Sequence, residues 1–169
     1  MSQHDVIVIG GGPAGLMAAE VISGRGVRVD LYDSMPSLGR KFLMAGKGGL
    51  NITHSEPFEQ FVSRYGKRRG QIEPLLKTFG PDELREWVHG LGIETFVGTS
   101  GRVFPKGMKA SPLLRAWLKR LSDSGVTFHL RHKWRGRLPS ASAAGAGGLS
   151  ILFETPNGEK AVKPDAVVL

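Results

Sequence analysis

Apolar positions near the start of the chain fall in short β-branched runs that break at glycine. Asp5–Ile9 (DVIVI) is such a run, and its lack of alternation predicts a strand buried on both faces. From Pro13 to about Ser23 the pattern turns helical, with Leu16, Met17, Val21 and Ile22 as its apolar positions. Val27, Val29 and Leu31 then alternate with polar residues, predicting a second strand that ends near Asp33. Gly80-Pro81-Asp82-Glu83 opens a helix, with proline in its first turn and acids behind it. Ser111-Pro112 opens another, whose Leu113, Leu114, Trp117, Leu118 and Leu121 form one face. Val126–Arg135, Ser150–Glu154 and Lys160–Val162 read as three short strands, and Ala166–Leu169 as an apolar strand after them.

Composition narrows the class. At 169 residues the chain is long enough for one domain with a real core. Glycine fills 24 positions without a Gly-X-Y period, which excludes a collagen-like chain. With no cysteine, disulfide frameworks, thiolate metal sites and cysteine nucleophiles are excluded. No apolar run approaches the ~18 residues of a membrane span, and Met1–Asp5 is polar, so a cytoplasmic protein without membrane contact is expected. The net charge of +8 comes from residues 57–137, where 16 basic side chains face seven acidic ones. The segment 139–148 (PSASAAGAGG) reads as a flexible loop.

The sharpest chemical signal is Gly10-Gly11-Gly12-Pro13-Ala14-Gly15, a G-x-G-x-x-G placed between the first strand and the first helix. Gly10 permits a tight turn, Gly12 lets backbone amides approach a pyrophosphate, and Gly15 allows close helix–strand packing. The helix start adds unpaired N–H groups and a positive dipole end for phosphates. An acid should follow the second strand to hold ribose hydroxyls, and Asp33, with Ser34 beside it, lies 18 residues after Gly15. Asp30 sits mid-strand and is the lesser candidate. An acid here disfavours a 2′-phosphate, and so NADP, at this turn.

FAD and NAD share this fingerprint. Two features favour FAD. Arg40, Lys41 and a second glycine-rich stretch, Ala45–Asn51, replace the second crossover of an ordinary NAD domain, and Gly46, Gly48, Gly49 and Asn51 could bring amides to a phosphate or a flavin edge. A β-meander over 126–163 also stands where a crossover helix is usual. An NAD-dependent dehydrogenase fragment and a non-enzymatic dinucleotide- or nucleic-acid-binding module remain as alternatives.

The stretches 6–20 (VIVIGGGPAGLMAAE), 31–57 (LYDSMPSLGRKFLMAGKGGLNITHSEP) and 101–118 (GRVFPKGMKASPLLRAWL) resemble the HI0933-type flavoproteins, a bacterial family of NAD(P)/FAD-dependent, aminoacetone-oxidase-like oxidoreductases. The resemblance implies a Rossmann-like FAD-binding α/β fold with a parallel sheet, a helical segment over 57–125 and the meander. It also implies that the chain is the N-terminal portion of a longer flavoprotein, lacking half of the flavin pocket. Gly49-Leu50-Asn51 departs from the family's Arg-Cys-Asn ending, so no role of that Arg or Cys carries over. Trp134 falls where the meander backbone meets adenine in the family, although a core or hairpin aromatic fits it better.

The remaining residues point to less. Arg64–Arg69 and His129–Arg135 are basic enough for nucleic acid, but the second run alternates as a solvated strand face, so nucleic acid is not expected as a partner. His129 and His132 would project to opposite faces of one strand, and no metal site is expected among the five histidines. His54, just beyond the glycine-rich loop, could approach the cofactor, and Gly101–Pro105 with Lys109 resemble a family motif, which implies the substrate side for them. No residue has a catalytic assignment. The expected chemistry is flavin-mediated hydride or electron transfer on a small molecule, with NAD(P)H as a candidate donor.

Overall fold

The computed structural model describes residues 5–46, 48–137 and 149–169. His4, Lys47 and the 139–148 loop lie outside the described residues. The chain forms two compact units, Met1–Phe42 with Leu118–Leu169, and Leu43–Trp117. Single-domain length did not reveal this division.

In the first unit, β1 (Asp5–Ile9) leads into α1 (Pro13–Ser23) and β2 (Arg28–Tyr32), matching the apolar pattern almost residue for residue. A parallel four-stranded sheet has the order β10-β1-β2-β6, where β6 is Thr127–His129 and β10 is Ala166–Val168. This βαβ unit is a Rossmann-like arrangement with β1 central, and successive residues of β1 serve opposite faces. Ile7 packs with Tyr32, Ile151 and Phe153 in one core cluster, with Ile9, Leu149, Val162 and Val167 around it. Val8 faces α1, close behind Gly15. Leu16 and Ala19 are the fully buried residues of α1.

The antiparallel meander consists of β7 (Lys133–Arg137), β8 (Ile151–Thr155) and β9 (Gly158–Val162). Here the structure corrects the strand expected over Val126–Arg135. The chain breaks at Arg131, whose φ of 57° is left-handed, so residues 127–129 join the parallel sheet and only residues 133–137 enter the meander. Hydrophobic alternation runs through both pieces, and nothing in it marks a single left-handed residue.

The second unit contains α3 (Phe58–Ser63), α4 (Arg69–Thr78) and α5 (Pro81–Gly90), preceded by β3 (Thr53–His54). α5 starts as its sequence predicts, with Glu83 Oε2 accepting from Gly80 N at 2.9 Å. The span 57–125 is not wholly helical: β4 (Thr95–Val97) and β5 (Arg102–Pro105) build an antiparallel sheet with β3 in the order β3-β5-β4. These strands are too short for a pattern of period two to declare itself. Two helices span the unit boundaries. Arg40 and Lys41 open α2 (Arg40–Ala45), and α6 covers Ala110–Asp123 with Leu113, Leu114, Trp117 and Leu121 buried.

Candidate functional site

The turn after β1 is built from glycines that cannot be exchanged for one another. Gly10 has φ +108°, a conformation that glycine tolerates, and its N–H donates to Tyr32 O at 2.8 Å. A Cβ on Gly15 would lie 1.9 Å from Gly10 O, so the helix can approach the strand only without one. Gly12 differs from both: a Cβ there meets nothing within 4 Å, which leaves its face open to a ligand. Pro13 has no N–H to satisfy, and the first helical bond runs from Leu16 N to Gly12 O at 2.9 Å. No side chain caps the helix. Helix geometry therefore leaves the Ala14 and Gly15 N–H groups without an intrahelical partner, at the positive end of α1. A cavity of about 310 Å³ adjoins them, lined by Val8, Ile9, Gly10, Gly12, Ala14, Gly15, Val168 and Leu169.

Asp33 reaches this turn directly. Its Oδ2 accepts from Gly11 N at 2.6 Å and its Oδ1 from Met35 N at 2.7 Å. Each oxygen keeps a lone pair for a further donor, as a ribose diol would require. Gly11 is the residue that the fingerprint does not single out. A Cβ there would come within 2.2 Å of Leu38 Cδ2 and 3.0 Å of Asp33 Oδ2, and Gly11 O accepts from Gly39 N at 2.8 Å. Gly11 thus ties the acid and the start of α2 to the turn, and exposed Arg40 and Lys41 follow directly. Ser34 is exposed beside Asp33. Asp30 is engaged elsewhere, since its Oδ1 lies 2.5 Å from His129 Nε2.

Behind Asp33 stands a stack of rings. Tyr32 lies between Phe153 and His129, with centroids 4.3 Å away on either side, and the His132 ring meets its edge at 5.5 Å. Burial first, and the negative charge of Asp30 second, push the Tyr32 hydroxyl up to about 12. His129 and His132, expected on opposite faces of one strand, converge on Tyr32, because the turn at Arg131 separates β6 from β7. Among the described residues no group of three metal-ligating side chains forms. Trp134 is not a core residue: it stands 43% exposed on β7 opposite Phe153, beside a bulge at Gly136.

In the second unit, residues of the glycine-rich stretch pack against others of that unit. A Cβ on Gly46 would lie 2.6 Å from Ala110 Cβ, and one on Gly49 (φ +114°) 2.8 Å from Met108 Cε. The Asn51 amide, turned to satisfy both neighbouring carbonyls, donates to Thr53 O at 2.8 Å and Val103 O at 3.3 Å. Gly48 is open. His54 uses both ring nitrogens structurally, Nδ1 accepting from Glu56 N at 3.1 Å and Nε2 donating to Ser100 O at 2.9 Å. It lines a cavity of about 470 Å³ together with Glu56, Phe61, Tyr65, Phe79 and Arg102. Several basic side chains sit in local ion pairs: Arg64 with Glu56, Arg69 with Glu59 and Glu73, Lys77 with Glu73, Lys106 with Glu94 and Lys119 with Asp123.

Comparisons with known proteins fit this geometry. The family model described as "HI0933-like protein Rossmann domain" matches residues 4–169. The ribosomal RNA dihydrouridine synthase of Escherichia coli is 41% identical over 131 residues, covering 78% of this chain and 32% of that protein. The 3-ketosteroid-Δ4-(5α)-dehydrogenase of Rhodococcus jostii shares the fold at a TM-score of 0.68 and 14% identity, over 98% of this chain and 45% of that one. Aklavinone-11 hydroxylase, solved with FAD and aklavinone, shares it at a TM-score of 0.54 and 14% identity, over 99% and 33%. The chain spans 14–32% of the length of the curated relatives it matches.

Proposed function

Because the chain belongs to the HI0933-like Rossmann-domain family, we propose that it is the FAD-binding portion of a flavin-dependent oxidoreductase acting on a small molecule in the cytoplasm. One observation carries the proposal. The uncapped start of α1 behind the open face of Gly12, with Asp33 bonded to Gly11 of the same turn, fits a diphosphate and its adjoining ribose together. The meander before β10 supports FAD over NAD, as does the shared fold of an FAD-bound hydroxylase. Among the described residues no helix is long and apolar enough to cross a membrane.

When bound, the flavin supplies hydride or electron transfer, with NAD(P)H proposed as the electron donor. The chain's own residues bind and orient. Ala14 and Gly15 N–H groups and the α1 dipole hold the diphosphate, and the Asp33 carboxylate accepts from the ribose hydroxyls. Arg40 and Lys41 add positive charge beyond Gly39, and Gly46, Gly48, Gly49 and Asn51 are proposed for the flavin side. Trp134, exposed on β7, is proposed to border the adenine.

The test is the absorbance spectrum of the purified protein and the identity of the cofactor it releases. Bound FAD is expected. A colourless protein that takes up NAD but not FAD overturns the proposal. Gly12→Val is expected to fold, since its Cβ position is open, yet to weaken FAD binding about a hundredfold or more by filling the phosphate approach. A second reading, with RNA as the substrate, is favoured by the Escherichia coli relative, whose name gives ribosomal RNA as its substrate.

A further inference from the structure

We propose that the turn after β6, residues 130–132, positions the Asp33 carboxylate, so that Arg131 controls nucleotide recognition through Asp33. This rests on Asp33 being the ribose acid. Besides its two side-chain bonds, Asp33 is held through its main chain. Its N–H donates to His129 O and its C=O accepts from His132 N, each at 2.9 Å. Arg131 N donates to Met35 O at 3.1 Å, so residues 33–35 are bonded along their length to a turn almost a hundred residues away.

That turn requires a left-handed residue, and Arg131 supplies it at φ 57°, a conformation uncommon for any residue but glycine. The rings on either side of it leave little slack. His129 and His132 both press on Tyr32, the residue before Asp33, and Tyr32 is itself backed by Phe153. The Arg131 side chain is exposed, so what position 131 contributes here is backbone conformation. A residue held by two hydrogen bonds to its carboxylate and two to its main chain is preorganised for a diol, and a displacement of about 1 Å forfeits much of that gain.

The test compares Kd values for ADP and 2′-deoxy-ADP on the purified chain. The wild type is expected to prefer ADP by roughly tenfold, the worth of a hydrogen bond to a charged acceptor. Arg131→Gly, which favours the left-handed region, keeps that ratio without the guanidinium. Arg131→Val, a β-branched residue poorly suited to it, brings the ratio close to one, chiefly by weakening ADP. Arg131→Ala serves if the valine variant does not fold, with a smaller change in the same direction. In an Asp33→Ala background the change at position 131 has no further effect on ADP. A variant that weakens both nucleotides equally, or adds to Asp33→Ala, shows a merely structural turn and overturns the inference. A wild type with no preference for ADP overturns the ribose role of Asp33 instead.

Discussion

The three glycines of the fingerprint and the one between them do four different jobs, and the structure distinguishes them by what a methyl group would meet. Gly10 supplies a left-handed turn, Gly15 close packing, Gly12 an open face, and Gly11 a bond to Asp33. Their substitutions should therefore fail differently. Gly15→Ala places a Cβ against the rigid Gly10 carbonyl and is expected to destabilise the chain by about 1–3 kcal/mol, read as a lower denaturant midpoint. Gly12→Val should leave that midpoint nearly unchanged and lose FAD. Wild-type stability in Gly15→Ala would mean that α1 packs elsewhere. The conformational roles of Gly10 and Gly15 were legible from motif spacing. That of Gly11 was not, because its partners Asp33, Leu38 and Gly39 come from further along the chain.

β1, α1 and β2 agree closely with the hydrophobic pattern, since each is a continuous run whose burial follows one period. The segment from Val126 to Arg137 does not, because its strands serve two sheets and the break lies in one backbone angle. The stacked rings that this break assembles have a measurable signature. In a Tyr65→Phe variant Tyr32 is the one remaining tyrosine, and its tyrosinate absorbance is expected to stay low through the ordinary pKa of about 10 and to rise only toward 12. Since the folded value lies above the unfolded one, the stabilisation linked to Tyr32 is fully present below about pH 10 and is lost as pH climbs through about 12. Ionisation at the ordinary value would show Tyr32 to be solvated, without the stack around it.

For the whole molecule, the net charge of +8 is what remains after every acid is counted, so local ion pairs leave it in place, and any attraction it exerts on a polyanion is diffuse and screened by salt. Any retention of ribosomal RNA by this chain is therefore expected to be weak and to vanish by about 0.15 M salt. Retention that persists there and falls when Lys67 and Arg68 are neutralised would restore RNA as a substrate. The organisation into two units was hidden as well, because β3, β4 and β5 hold only two to four residues each. Period and spacing alone determine the first βαβ unit, its glycine turn and the acid that follows, since those features depend on neighbours within about thirty residues and on the obligatory geometry of glycine and proline. Only tertiary structure decides which strands share a sheet, that His129 and His132 meet over Tyr32, and that Asp33 is held by a turn near the far end of the chain. Those contacts join residues some hundred positions apart, and no local periodicity encodes the partner of a hydrogen bond.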